Sequence, residues 1–277
     1  MIRDYRYTSK KGHTLNLTLY GADSFGDHPC LIYLHGFKGF KDWGFVPHAG
    51  EFFARNGFSF LAFNFSHNGI GADMQSFTEL EAFKQNTFSL EVEESMEIIH
   101  LLAHTDFFGR YLNHSLGLIG HSRGGGLALL SASENRDVKA TCTWSAVSRF
   151  DRFSKEDRAN WRQQGYREVV NSRTGQVFQM GLDMLNDIEK KGKTKLNILE
   201  AVRKLAKPLL IVHGEKDETV PYFEAEELNI FADPMQTKLQ LIPQTGHTYG
   251  TKHPFEGSNP SFDMVLETTL DFFRKNL

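Results

Sequence analysis

The chain has 277 residues, 40% of them apolar and 24 of them Phe, enough to bury a large core in one α/β domain or two small ones. A net charge of −3 excludes an electrostatic case for nucleic acid or an anionic membrane surface. No apolar run is long enough for a bilayer, and the start Met1-Ile2-Arg3-Asp4-Tyr5-Arg6 lacks a signal core, so a cytoplasmic location without a membrane partner is expected.

In chain order, Thr14 to Tyr20 alternates like a half-exposed antiparallel edge strand. Cys30-Leu31-Ile32-Tyr33-Leu34 reads as a buried strand ending in His35-Gly36, and Pro47 to Asn56 as a helix stopped by Gly57. Phe58 to Phe65 is the next strand, and a helix is predicted from about Asn86 to His104. A strand from Leu116 and a helix around Leu127-Ala128-Leu129-Leu130 follow, then a strand over Val138 to Ala146. Lys207 to Gly214 is a continuous apolar run with Pro208 at its entry, as in a buried parallel strand. Lys238 to Ile242 is a further strand, and Phe262 to Arg274 the last helix. Strands alternating with helices imply right-handed crossovers and a mostly parallel sheet. Cys30 and Cys142 fall in or beside core strands, where small buried hydrophobes are expected and a disulfide is not.

The alternation breaks over residues 147–207. This stretch is rich in charge, from Arg149 and Asp151 to Lys190 and Lys191, and is far longer than the ~10–15 residues of a simple crossover. It lies between two core strands and would cover the carboxyl edge of the sheet, so it is read as an inserted cap or lid. A long crossover with a solvated charged face is the alternative.

The strand Leu116 to Gly120 runs into His121-Ser122-Arg123-Gly124, and a small-residue helix starts at once. That is the context of a nucleophile elbow, with Ser122 at the apex of a sharp turn. Gly120 and Gly124 remove the Cβ atoms that such a turn would force together. The helix that follows aims free N–H groups and a positive dipole end at the place where an oxyanion would form. An acid just past the strand ending in Gly214 sits on the face where open α/β sheets keep their chemistry, and Glu215, Asp217 and Glu218 compete for that role. His247, after Gly246 in the loop leaving Ile242, is the candidate base, against His35, His121, His213 and His253. The chain order Ser122, Asp217, His247 is the nucleophile–acid–base order of the α/β-hydrolase fold.

On the motifs Tyr33-Leu34-His35-Gly36-Phe37, Gly120-His121-Ser122-Arg123-Gly124, His213-Gly214-Glu215-Lys216-Asp217-Glu218-Thr219-Val220-Pro221 and Gly246-His247, the chain resembles the α/β-hydrolase serine esterases. It is similar to small bacterial carboxylesterases of the cinnamoyl/feruloyl-esterase type and to prolyl-oligopeptidase-like catalytic domains. The resemblance implies one α/β-hydrolase domain over 1–277, its mostly parallel sheet flanked by helices, with the 147–207 segment as cap. It places the acid at Asp217 and makes His35, His121 and His213 braces of neighbouring loops. Phe37 and Arg123 would give the two backbone N–H groups of an oxyanion hole.

The expected function is hydrolysis of small-molecule carboxylic esters through an acyl-enzyme, with no cofactor or metal. Peptidase, amidase and thioesterase activities use the same groups, and a binding protein on a hydrolase scaffold is a remote alternative. A true lipase is disfavoured by the charged cap. The aromatic loop Phe37 to Trp43 would line an apolar acyl or aryl site or pack on the cap, and Arg162 and Arg167 are candidates for a substrate carboxylate, with solvated surface charge the first expectation. No heptad or repeat points to an oligomeric state.

Overall fold

A computed structural model describes residues 1–109, 113–171 and 174–277. Ten strands and nine helices occur among them, in the order β1 (Ile2–Thr8), β2 (Thr14–Tyr20), β3 (Cys30–Leu34), α1 (Val46–Arg55), β4 (Ser59–Phe63), α2 (Leu80–Gln85), α3 (Phe88–His104), β5 (Leu116–His121), α4 (Arg123–Glu134), β6 (Val138–Trp144), α5 (Lys155–Gln164), β7 (Tyr166–Val170), β8 (Val177–Gly181), α6 (Leu182–Lys191), α7 (Ile198–Lys204), β9 (Leu209–Gly214), α8 (Phe223–Phe231), β10 (Thr237–Ile242) and α9 (Pro260–Asn276).

Eight strands form one sheet in the order β1-β2-β4-β3-β5-β6-β9-β10. The pairs β1/β2 and β2/β4 are antiparallel, and every pair from β4 to β10 is parallel. This corrects the reading of Thr14–Tyr20 as the sheet edge. The edge is β1, whose outward residues are exposed, and β2 is covered on both sides and largely buried.

The central strands are buried on both faces, and their side chains divide by parity. Leu31, Tyr33, Ile119, Leu210 and Val212 join one apolar cluster with Phe53 of α1 and Phe262 and Phe273 of α9. Ile32, Leu34, Leu118, Leu209 and Ile211 join the other, with residues of α3, α4, α7 and α8. Helix starts are set by local chemistry. Thr87 caps α3 by accepting from Leu90 N–H, and Asn259 caps α9 with Pro260 following. α5 opens on a Ser154–Asp157 capping box and ends on Gly165 in the left-handed region (φ 80°).

Residues 147–207 contain α5, the separate antiparallel hairpin β7–β8, α6 and α7. α7 returns to the body of the fold, where Gly126 of α4 lies so close to Ile198 that a Cβ on it would stand 2.6 Å from Ile198 Cδ1. No helix among the described residues is long and apolar enough to cross a membrane.

Where β5 turns into α4, an added Cβ on Gly120 would lie 2.2 Å from the Gly124 carbonyl oxygen, and one on Gly124 would lie 2.1 Å from the Leu34 carbonyl oxygen. Both clashes are with backbone, which cannot rotate away. Gly120→Ala is therefore expected to cost ~3 kcal/mol or more of stability. Thermal melts read this as a lowered Tm, and an unchanged Tm would contradict it.

Candidate functional site

Ser122 stands between β5 and α4 with φ 58° and ψ −122°, a conformation that side-chain-bearing residues seldom adopt. Neighbouring hydrogen bonds hold it there. Its N–H donates to Trp144 O at 2.8 Å, and its carbonyl accepts from Gly125 N–H at 3.0 Å and Val147 N–H at 3.3 Å. The loop after β3 comes close on the other side, for a Cβ on Gly36 would lie 2.9 Å from Ser122 Cβ. The hydroxyl therefore projects from the carboxyl edge of the sheet into a gap that Gly36 keeps open.

Asp217 follows β9 and its side chain is fully buried. His247 follows β10, and its Nδ1 lies 2.7 Å from Asp217 Oδ2. The second carboxylate oxygen accepts from the N–H groups of Thr219 and Val220, at 2.9 Å each. Burial alone would raise the Asp217 carboxyl. The hydrogen bonds from His213 and His247, with the backbone donors, outweigh burial and hold it far below the usual carboxylate range. An ionised Asp217 fixes the His247 tautomer with its proton on Nδ1 and leaves Nε2 as an acceptor. His247 and Ser122 line one cavity of about 370 Å³, with Gly36 and His121. Among the described residues no hydrogen bond joins Ser122 Oγ to His247; such bonds commonly tighten only when substrate binds.

The other histidines each hold a loop. His35 accepts from Phe65 N–H at Nε2 (3.3 Å) and donates from Nδ1 to Gly36 O (2.9 Å). His121 Nε2 donates to His247 O at 3.0 Å, and His213 Nε2 donates to Val220 O at 2.8 Å. His253 Nδ1 accepts from Gly44 N–H at 2.9 Å. Burial lowers His35 and His121 to about 3, with the neighbouring His247 adding to the effect on His121. Glu215 meets the β10 exit through Gln244 N–H, and Glu218 is exposed.

The side-chain partner of Arg123 was not visible in the sequence. Arg123 is buried, and its guanidinium donates to Glu91 Oε1 at 2.7 Å, with Glu91 fully buried on α3. Asn86 also donates to that carboxylate, at 2.8 Å. The Arg123 guanidinium lies 4.8 Å from the centre of the Phe37 ring and 5.5 Å from that of Phe88. Phe37 and Arg123, which line a cavity with Ser122, are thus packed on each other. Among the described residues neither backbone N–H has a hydrogen-bond acceptor. The one available signal was a pair of glutamates, Glu91 and Glu94, on the apolar stripe of α3 with Leu90, Ile98 and Leu101.

A second cavity of about 450 Å³ is also lined by Ser122, together with Arg123, Val147 and Val220. Phe37, Phe88, Phe150, Phe153 and Met180 form its apolar wall. Arg167 reaches it but is paired with Asp157 and stacked on Phe153 at 5.2 Å. Arg162 is half-exposed, pairs with Glu189 and is not on the wall. In the aromatic loop, Phe37 lines both cavities, and Phe40 and Trp43 line the one shared with His247, where Trp43 also stacks on His253 at 6.0 Å.

Two outcomes follow from these buried groups. Glu91→Ala leaves the Arg123 charge buried without its partner and is expected to cost about 3–5 kcal/mol. Chemical denaturation measures this, and a cost below ~1 kcal/mol would show that the pair does not hold Arg123. His121, lowered to about 3 against 6.5 when unperturbed, binds its proton more readily in the unfolded chain. It therefore contributes stability that is present above 6.5 and lost as pH falls toward its folded value. The slope of stability against pH between about 6.5 and 4 should be shallower in His121→Asn than in wild type. Equal slopes in urea titrations would refute this.

The family model BD-FAE matches residues 81–230, from α2 into α8. No curated protein matches the chain. Among solved structures, the fold is similar to that of a putative hydrolase from Agrobacterium vitis S4, 19% identical over 99% of each chain, with a TM-score of 0.76. It is also similar to Est1E from Butyrivibrio proteoclasticus with ferulic acid bound, 20% identical over 98% of each chain (TM-score 0.73). DcsB in complex with its substrate analogue is 16% identical over 100% of each chain, with a TM-score of 0.77. The chain, with its mostly parallel eight-stranded sheet flanked by helices, has the α/β-hydrolase fold and belongs to the BD-FAE family.

Proposed function

We propose that this protein is a serine hydrolase that cleaves carboxylic esters through an acyl-enzyme. The carrying observation is the His247–Asp217 hydrogen bond of 2.7 Å at the mouth of the cavity into which strained Ser122 projects. In this reading Ser122 Oγ attacks the acyl carbonyl while His247 Nε2 takes its proton. Asp217 stabilises the imidazolium that forms. The negative charge on the former carbonyl oxygen is met by the backbone N–H groups of Phe37 and Arg123, both without acceptors among the described residues. His247 then gives the proton to the leaving alcohol. Water, deprotonated by His247, attacks the acyl-enzyme and restores the Ser122 hydroxyl.

In the same reading, residues 147–207 act as a cap within one domain and help to shape the substrate site. The aromatic wall of the larger cavity favours a small ester with an aryl or other flat apolar group, and the ferulic acid held by Est1E has that character. The reaction calls for no nucleic-acid or membrane partner, and a cytoplasmic location is part of the proposal. Amides and thioesters present the same carbonyl to the same groups, so the ester preference is a matter for rates.

The test is a matched panel: short and long p-nitrophenyl esters, methyl ferulate, an acyl-CoA and an aminoacyl arylamide. Wild type should turn over the esters, methyl ferulate among them, well ahead of the arylamide. Ser122→Ala should lose ~10³-fold or more and Asp217→Asn a comparable factor, each with an unchanged circular dichroism spectrum. A Ser122→Ala protein at full rate would sink the serine mechanism. Arylamide turnover matching that of the esters would replace esterase with amidase.

A further inference from the structure

A cluster away from Ser122 combines residues that are far apart in sequence. His13 lies in the turn between β1 and β2, His67 in the segment leaving β4, and Glu94 on α3. The two imidazoles face each other through the same ring atom, with Nδ1 to Nδ1 at 3.3 Å. Their ring centres are 4.6 Å apart and their planes 30° apart. The rings are thus nearer at Nδ1 than at their centres, so the two Nδ1 atoms bound one small space. The ligand atoms of His13, His67 and Glu94 all lie within 4.8 Å of one another.

The spacing of the two nitrogens matches metal geometry. Two nitrogens each ~2.0–2.1 Å from a tetrahedral zinc ion stand ~3.3–3.4 Å apart. Without an ion the two rings can pair only as opposite tautomers, one Nδ1–H donating to the other Nδ1, whereas a cation takes both lone pairs. Ser66 sets the carboxylate in place. Its N–H donates to Glu94 Oε2 at 3.0 Å and its hydroxyl donates to Oε1, so Ser66 Oγ accepts from His67 Nδ1–H at 2.7 Å, a proton that a bound cation displaces, and stands 3.4 Å from His13 Nδ1. Glu94 is 1% exposed, so its carboxylate lacks the bulk water that would otherwise solvate it. A polar cavity of about 360 Å³, lined by both histidines, Ser66 and Asn64, gives an approach from solvent and room for a water ligand.

We propose that His13 Nδ1, His67 Nδ1 and a Glu94 carboxylate oxygen form a binding site for a first-row divalent cation, with zinc the preferred occupant. Two imidazoles and one carboxylate suit zinc and its neighbours, and are too rich in nitrogen for magnesium or calcium. The role is structural. The ion ties the β1–β2 turn and the β4 exit to α3, the segments that also carry the supports of the candidate oxyanion donors. Phe65 N–H bonds His35 under Gly36, and Glu91 on α3 holds Arg123.

The test is calorimetric titration of zinc into chelator-treated full-length protein, with cobalt as a spectroscopic substitute. One ion per chain should bind, raise the Tm and give cobalt the intense visible bands of a tetrahedral nitrogen–oxygen site. Loss of an outer partner alone weakens metal sites by roughly 10–100-fold, so His67→Ala and His13→Gln should each weaken binding ~100-fold or more. His13→Gln lies on a turn and keeps the test open if His67→Ala fails to fold. His247→Ala should leave zinc affinity unchanged, which separates this site from the imidazole beside Ser122. Absence of saturable binding would overturn the proposal, as would binding that survives both cluster substitutions or disappears in His247→Ala.

Discussion

The structure is organised around a backbone that would not hold its shape alone. Ser122 sits at φ 58° and ψ −122°, worth about 1–3 kcal/mol of strain for a residue with a side chain. That conformation persists because β5, β6 and α4 fix both of its ends, and because three glycines let their backbones meet. Gly120 and Gly124 touch across the turn, while Gly125 packs against Ala146, leaving 2.4 Å between its would-be Cβ and that of Ala146. The apolar faces of the sheet serve this turn. Their burial supplies the stability against which the strain is set, and their parallel register delivers β5, β9 and β10 to one edge.

Around that turn, charge is buried only where it is paired. Asp217 is kept ionised by four donors, and Arg123 is held by Glu91 with aromatic rings on its faces. Burial raises the Glu91 carboxyl while the Arg123 charge opposes the shift. The guanidinium stays charged, because its intrinsic basicity is far above any working pH. The Phe37 ring and the Arg123 guanidinium therefore pack against each other at 4.8 Å on the cavity that Ser122 also lines.

Four histidines act as hydrogen-bonding struts. His35, His121, His213 and His253 each bond a backbone group of a loop at the sheet edge, and two of them are kept neutral by burial. His247 differs in facing a carboxylate through one nitrogen and a cavity through the other side of the ring. The same residue type thus carries two kinds of work, separated by what each ring nitrogen meets.

The sequence by itself determined the parallel core, because continuous apolar runs such as Leu209 to Val212 suit a strand covered on both faces. It also determined the sharp turn at Ser122, since Gly120 and Gly124 flank it at positions where any Cβ strikes backbone. The order of Ser122, Asp217 and His247 was readable because strand ends deliver loops to one face. The edge strand was not readable: Ile2 to Thr8 is charged and exposed, and only pairing with Thr14 to Tyr20 shows it to be a strand. The antiparallel pair of Tyr166–Val170 and Val177–Gly181 was likewise not readable, because it shows only in the pairing of the two strands. Tertiary structure alone decided the Glu91–Arg123 pair and the meeting of His13, His67 and Glu94. Those residues come from segments distant in sequence, and a distance between side chains is a property of packing that no local spacing encodes.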